Sequence, residues 1–223
     1  MLVLGIDEAG RGPVFGPMTL GGVVDTEKSE VSYREMGCKD SKLLSPARRE
    51  ELAETIRKTA KEIAVIEISA HEIDSMRKVM SLNEVEAKKI AEMVLSLKEK
   101  PDKIIIDCPD TEPTRFIQRL RKYLGPDFNA IAEHKADVTY PICSAASIVA
   151  KVARDEWVKK TRAKYGEIGS GYPADPVTKE FLKNYFEEHG KLPPFARKSW
   201  DTSKRMEEEK LQATLGEFNE SAD

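Results

Sequence analysis

The chain has 223 residues, with 36 Lys and Arg against 39 Asp and Glu and a formal net charge of −3, enough for one large domain with a buried core. Its apolar runs, such as Ile104–Ile106, fall far short of the roughly 18 residues a bilayer span needs, and Met1-Leu2-Val3-Leu4-Gly5 lacks the basic stretch of a secretory leader. Cys38, Cys108 and Cys143 are few, odd in number and far apart, which excludes a disulfide framework or structural zinc site and points to a reduced, soluble, cytoplasmic protein.

In chain order, Leu2–Ile6 reads as a buried strand that runs into Asp7-Glu8 and a glycine-rich turn. Met18–Val24 is a second strand, softened by Gly21 and Gly22. Ser45-Pro46 opens a helix with Ser as N-cap and Pro at the first position, and Leu52, Ile56 and Ala60 share one face. Ala64–Ile68 reads as a strand. Ser81 caps a long helix carrying Val85, Ile90, Val94 and Leu97 at helical spacing. Lys103–Asp107 is an apolar strand stopped by Cys108-Pro109. Residues 113–124 are helical, 129–133 strand-like, and an Ala-rich helix runs from Tyr140 to about Tyr165. Beyond Gly166, Gly and Pro punctuate short helices, and the last 23 residues, with seven acids and three bases, read as a loose tail. This order predicts an α/β fold, a mixed sheet flanked by helices, with a small helical appendage.

Four acids stand at or just past strand ends: Asp7, Glu8, Asp107 and Asp137. Converging carboxylates repel one another unless a cation lies between them, and hard oxygen ligands suit Mg²⁺ or Mn²⁺. Such clusters serve two-metal phosphodiester cleavage. Because neighbouring strand residues face opposite ways, Asp7 and Glu8 can share one site only if the strand ends there. Gly10-Arg11-Gly12-Pro13 could present backbone amides to an anion, whereas no P-loop, dinucleotide fingerprint or Gly-x-Ser-x-Gly elbow occurs. Residues 39–61 hold seven bases to four acids, and the loop residues Lys39 and Lys42 are the better candidates for phosphate contact. His134 and Lys135 stand beside the fourth acid, the imidazole as a candidate proton shuttle or a structural residue. Tyr172, in the stiff Gly169-Ser170-Gly171-Tyr172-Pro173 loop, could stack on a sugar or base. Trp157 and Trp200 read as packing residues.

Taken together, Gly5-Ile6-Asp7-Glu8-Ala9-Gly10-Arg11-Gly12-Pro13, Lys39-Asp40-Ser41-Lys42, His134-Lys135-Ala136-Asp137 and Gly169-Ser170-Gly171-Tyr172-Pro173 resemble the motifs of the ribonuclease HII family, most nearly its archaeal-type members. The resemblance implies a ribonuclease H-like catalytic domain over 1–172, a helical appendage over 173–211 and a tail over 212–223. It also implies cleavage of RNA in RNA–DNA hybrids and at single ribonucleotides in duplex DNA, leaving a 3′-hydroxyl and a 5′-phosphate. In that reading Asp7, Glu8, Asp107 and Asp137 hold the divalent ions. Gly10, Arg11 and Gly12 contact the ribose 2′-hydroxyl and junction phosphate, and Tyr172 stacks on the next deoxyribose. Lys39, Ser41, Lys42, His134 and Lys135 add substrate contacts. Gln212-Ala213-Thr214-Leu215-Gly216-Glu217-Phe218 is similar to the sliding-clamp motif of replication proteins, with Gln212, Leu215 and Phe218 as its anchors and Asn219 where a second aromatic belongs. A junction resolvase and a non-catalytic hybrid-binding module are the competing readings. The first leaves Gly10–Gly12 and Tyr172 unexplained, and the second leaves four acids without a task. Nothing in the sequence points to a membrane or beyond a monomer.

Overall fold

The fold is that of a computed structural model and is described for residues 1–38 and 44–220, the side chains of 213–220 excepted. Five strands form one sheet in the order β3-β2-β1-β4-β5. Antiparallel β1 (Leu2–Ala9), β2 (Met18–Thr26) and β3 (Glu62–Ile68) make one half. Parallel β4 (Lys103–Asp107) and β5 (Ala130–Glu133) extend it from β1. The central strand β1 is therefore covered on both faces and reads as a nearly unbroken apolar run.

Side-chain alternation divides the core in two. Leu4, Ile6, Leu20, Ile104 and Ile106 face one way, onto α4 (Leu82–Ser96) and α5 (Pro113–Leu124) through Val85, Ile90, Met93, Phe116 and Leu120. Val3, Val23 and Ile105 face the other way, onto α2 (Pro46–Thr59) and the long α7 (Pro141–Tyr165). The caps fall where the sequence places them: Ser45 Oγ accepts from the Arg48 amide and Ser81 Oγ from the Glu84 amide, each at 3.3 Å. Short helices α1 (Ser29–Glu35), α3 (Ala70–Met76) and α6 (Ala136–Thr139) lie between the longer elements.

After α7, a third apolar cluster gathers Val14, Phe15, Ile168, Leu182, Leu192 and Ala196. It joins the loop after β1 to α8 (Pro176–His189) and the segment before α9 (Asp201–Glu220). The expectation of a loose tail is corrected here: the backbone is helical from Asp201 to Glu220, and its first turns pack Met206 against the third cluster. Among the described residues no helix is long and apolar enough to cross a membrane.

Candidate active site

Register brings the first two acids together. Ile6 pairs with Ile106 across the parallel β1–β4 ladder, so Asp7 and Asp107, one residue on, stand side by side on the face that carries Val3 and Ile105. The third acid arrives by a turn. Lys135 has φ 60°, a left-handed backbone that non-glycine residues seldom adopt. It starts α6, whose Ala136 amide donates to Asp107 Oδ1 at 2.9 Å. As a result, one carboxylate oxygen each from Asp7, Asp107 and Asp137 all lie within 4.8 Å of one another. Asp7 and Asp137 are only 5% and 4% exposed.

Glu8 is not one of these three, yet its carboxyl shares a hydrogen bond with that of Asp7. β1 does not end at Asp7-Glu8, because β2 continues to pair with it through Glu8–Leu20 and Ala9–Thr19. Alternation turns Glu8 to the other face, where the charge of Glu86 on α4 reaches it. It still lines the same cleft as Asp7 and Asp107, and its amide donates to Asp7 Oδ1 at 2.7 Å.

Burial and mutual repulsion set the electrostatics. Burial first, then the Glu8 charge, holds Asp7 well above the ordinary carboxylate range, while a Ser147 hydrogen bond and the Lys151 charge oppose the rise. Glu8 is pushed up to about 7 by burial and then by Glu86. Glu86 also rises to about 7 through burial, with Arg11 opposing. Buried carboxylates that resist ionising together, all hard oxygen donors, fit a divalent cation of the Mg²⁺ or Mn²⁺ kind.

The cleft beside them has a volume of about 560 Å³ and is lined by both signs of charge, with Arg49, Lys151, Arg154 and Arg162 facing the acids. Gly10, Arg11, Gly12 and Tyr172 also line it. Tyr172 is 49% exposed. A Cβ on Gly12 would stand 3.3 Å from its ring, and a Cβ on Gly10, at φ +80°, would lie 2.5 Å from Arg154 Cδ. Position 10 requires glycine, whereas a Cβ at 12 would press the half-exposed Tyr172 ring aside by a few tenths of an ångström. The Arg11 side chain turns to α4, where Nη2 donates to Asn83 Oδ1 at 2.5 Å and Nη1 pairs with Glu86.

His134 and Lys135 are exposed and are not among the residues lining this cleft. Lys39, Ser41 and Lys42 lie outside the described residues, as do the side chains of Leu215 and Phe218. Gln212 is exposed on α9. The sequence reading passed over several residues of the site. Ser147 and Lys151 sit one turn apart on α7, joined by a 3.0 Å hydrogen bond, and polar residues in an otherwise apolar helix face were their signal. Arg154 and Arg197 are buried arginines that bond to backbone carbonyls of the loop following β1. Nothing local in the sequence marks them. Trp200 is more than packing, since its Nε1 donates to the Gly12 carbonyl at 3.1 Å.

A mixed five-stranded sheet that brings acids from its central parallel pair and from a following helix into one cleft defines a metal-dependent nuclease of the ribonuclease H-like class. The family model described as Ribonuclease HII matches residues 4–203. A ribonuclease HII of Pyrococcus horikoshii is 45% identical over 220 residues, covering 98% of this chain and 99% of the relative. The crystal structure of the ribonuclease H2 from Pyrococcus horikoshii OT3 superposes with a TM-score of 0.88 at 45% identity, covering 94% of this chain and 98% of that one. A structure of the PCNA:RNase HII complex from Archaeoglobus fulgidus aligns with a TM-score of 0.82 at 41% identity over 90% of this chain and 94% of the other. The chain belongs to the ribonuclease HII family, metal-dependent endoribonucleases that act on RNA–DNA hybrids.

Proposed function

We propose that this chain cuts both uniform RNA–DNA hybrids and DNA duplexes that carry a single ribonucleotide, on the 5′ side of the ribonucleotide, leaving a 3′-hydroxyl and a 5′-phosphate. The observation that carries the reading is the placing of Asp7, Asp107 and Asp137 in reach of one another beside Gly10–Gly12 and Tyr172. Asp7, Glu8, Asp107 and Asp137 hold the ions, Glu8 lining the same cleft as Asp7 and Asp107. Bound there, Mg²⁺ or Mn²⁺ supplies the positive charge that makes water a nucleophile and offsets charge on the phosphate. Backbone amides of the glycine loop meet the 2′-hydroxyl, the group by which RNA differs from DNA at a site. Tyr172 stacks on the deoxyribose that follows, and the cleft cations, with Lys39, Ser41 and Lys42, hold the flanking phosphates.

The tail extends the reading to a partner. Gln212, Leu215 and Phe218 form the clamp-like motif, and a PCNA complex of the Archaeoglobus fulgidus relative supports assigning it to a sliding clamp. The protein acts in a reducing cytoplasm, in keeping with its three buried free cysteines.

The test uses a labelled duplex with one internal ribonucleotide beside an all-DNA control, with Mg²⁺ and with EDTA. Cutting of the ribonucleotide strand alone, only with metal, is expected. Asp107→Asn should lower the rate by more than the roughly 10–100-fold usual for losing a mere outer-shell partner of a metal, with binding of the duplex kept. Cutting of both duplexes would assign the cleft to a different nuclease chemistry, and a fully active Asp107→Asn would remove the acids from the reaction.

A further inference from the structure

Arg197 is wholly buried, yet among the described residues it forms no ion pair with a carboxylate. Each of its three nitrogens donates instead to the backbone of the loop after β1. Nε donates to the Gly16 carbonyl at 2.9 Å, Nη1 to the Arg11 carbonyl at 2.8 Å and Nη2 to the Gly10 carbonyl at 2.5 Å. The Trp200 ring lies 4.7 Å from the guanidinium carbon, and its Nε1 takes the next carbonyl in line, that of Gly12. Three successive carbonyls, 10 to 12, are thus drawn to one buried point supplied by residues 197 and 200.

Peptide geometry turns this into a statement about the amides. Across a planar trans peptide the carbonyl of one residue and the N–H of the next point in opposite directions, and the described chain has no cis bonds. With the carbonyls of Gly10 and Arg11 fixed toward Arg197, the N–H groups of Arg11 and Gly12 are aimed away from it, toward the cleft that both residues line. Pro13 has no N–H to aim. The mount is rigid. The Arg197 amide donates to the Val14 carbonyl at 2.8 Å, the Gly16 amide donates to the Phe195 carbonyl at 2.8 Å, and Phe15 bridges to Ala196. Burial and the neighbouring Arg154 charge bring Arg197 down to about 9, so it stays charged at neutral pH.

We propose that Arg197 is the positioning residue of the ribose-reading loop, orienting the Arg11 and Gly12 amides so that discrimination of the 2′-hydroxyl depends on a side chain outside the β-sheet domain. This rests on the reading of Gly10–Gly12 given above. A planar fork is needed because one ammonium cannot meet three divergent carbonyls, so Lys is not an adequate substitute.

The experiment compares Arg197→Lys, Trp200→Phe and Leu182→Ala with the unchanged protein on the single-ribonucleotide duplex, recording kcat, KM, the Mg²⁺ concentration for half-maximal rate, and the melting temperature. Arg197→Lys should lose about 100-fold in kcat, the scale of a misplacement of about 1 Å, with KM and the Mg²⁺ requirement held within about threefold. Trp200→Phe, which loses one neutral hydrogen bond and keeps a ring, should lose about tenfold in kcat. Leu182→Ala opens a cavity in the third apolar cluster, which also holds Val14 and Phe15, but removes no hydrogen bond to Gly10–Gly12. It should lower the melting temperature while leaving kcat unchanged below its transition. Wild-type kcat in Arg197→Lys, or a loss confined to KM, would overturn the proposal. So would a Leu182→Ala protein that loses kcat in step with its stability. If Arg197→Lys fails to fold, wild-type kcat in Trp200→Phe overturns it on its own. Failure of the unchanged protein to prefer the ribonucleotide duplex over DNA would overturn the functional reading instead.

Discussion

Glu86 shows what a single buried charge does at this site. Its carboxyl is 1% exposed and pairs with Arg11, yet burial outweighs that partner and pushes it up to about 7 from an ordinary 4.5. Glu8 is displaced in the same direction. A carboxyl raised on folding binds more protons in the folded than in the unfolded state between the two values, so stability falls as pH rises through that window. In EDTA, the melting temperature should therefore decline between about pH 5 and pH 7, and Glu86→Gln should shrink that decline by about 2–4 °C for each kcal/mol removed. An unchanged slope in Glu86→Gln would mean the carboxyl is already ionised at the acid end, as half of an ordinary ion pair. At this scale Asp7, Asp107 and Asp137 were legible because each follows an apolar strand. Glu86 was not, because an acid in a Glu- and Lys-bearing helix looks solvated until the fold sets Arg11 beside it.

At the scale of elements, the position of α7 depends on two glycines in the sheet. A Cβ on Gly5 would lie 2.5 Å from the Ile142 carbonyl oxygen, and one on Gly21 would lie 2.4 Å from that of Ala146. Gly21 is also the cross-strand partner of Asp7, so α7 rests on the strands beside the acids and brings Ser147 to the Asp7 carboxylate. In the sequence these glycines read as a weakness of the second strand. They are instead the place where helix backbone meets sheet backbone, a long-range contact that strand propensity cannot show. The neighbouring pair gives a clean comparison. Gly21→Ala should cost about 1–3 kcal/mol, as overpacking does, and lower cleavage by lifting Ser147 and Lys151 from Asp7. Gly22→Ala clashes with the Met93 sulfur, at 2.6 Å on the other face, while Leu4 and Ala64 stand at ordinary contact distance, and a thioether can swing aside. Its cost should be smaller and its cleavage rate unchanged. Equal thermal losses from the two, measured by denaturation, would show that α7 can shift freely. The long apolar helices were read correctly because their apolar periods extend over several turns, and the strands were placed correctly although β1 runs on to Ala9. Helices α1, α3 and α6, of seven, seven and four residues, are too short to show a period. The sequence of α9 is polar over most of its length, which is why it read as a tail.

The whole molecule makes its active site from both ends of the chain. Val14 and Phe15 are fully buried, and most of the residues that bury them, Leu182, Leu192 and Ala196 among them, come from beyond Tyr172, with Ile168 and Trp157 from before it. The Gly169–Pro173 loop is stitched to the same place, since the Val14 amide donates to the Gly171 carbonyl at 2.7 Å. A boundary at residue 172 therefore marks a change of texture in the sequence and not a division of labour. Near the far end, Lys210 Nζ still donates to the Gly190 carbonyl at 2.7 Å, tying α9 to the end of α8. These contacts separate two truncations. A chain ending at Leu211 keeps Arg197, Trp200, the third cluster and the Lys210 contact, so its single-ribonucleotide cleavage should stay within about twofold of the full chain, while retention on an immobilised sliding clamp is lost with Gln212, Leu215 and Phe218. A chain ending at Tyr172 keeps all four acids, the glycine loop and the tyrosine, but exposes Val14 and Phe15 and leaves the carbonyls of Gly10 and Arg11 without Arg197. It should bind Mg²⁺ weakly or not at all and cut nothing. Ribonucleotide-specific cleavage by that shorter chain would show that the acids and the loop hold their geometry unaided, and that the C-terminal segment serves the clamp alone.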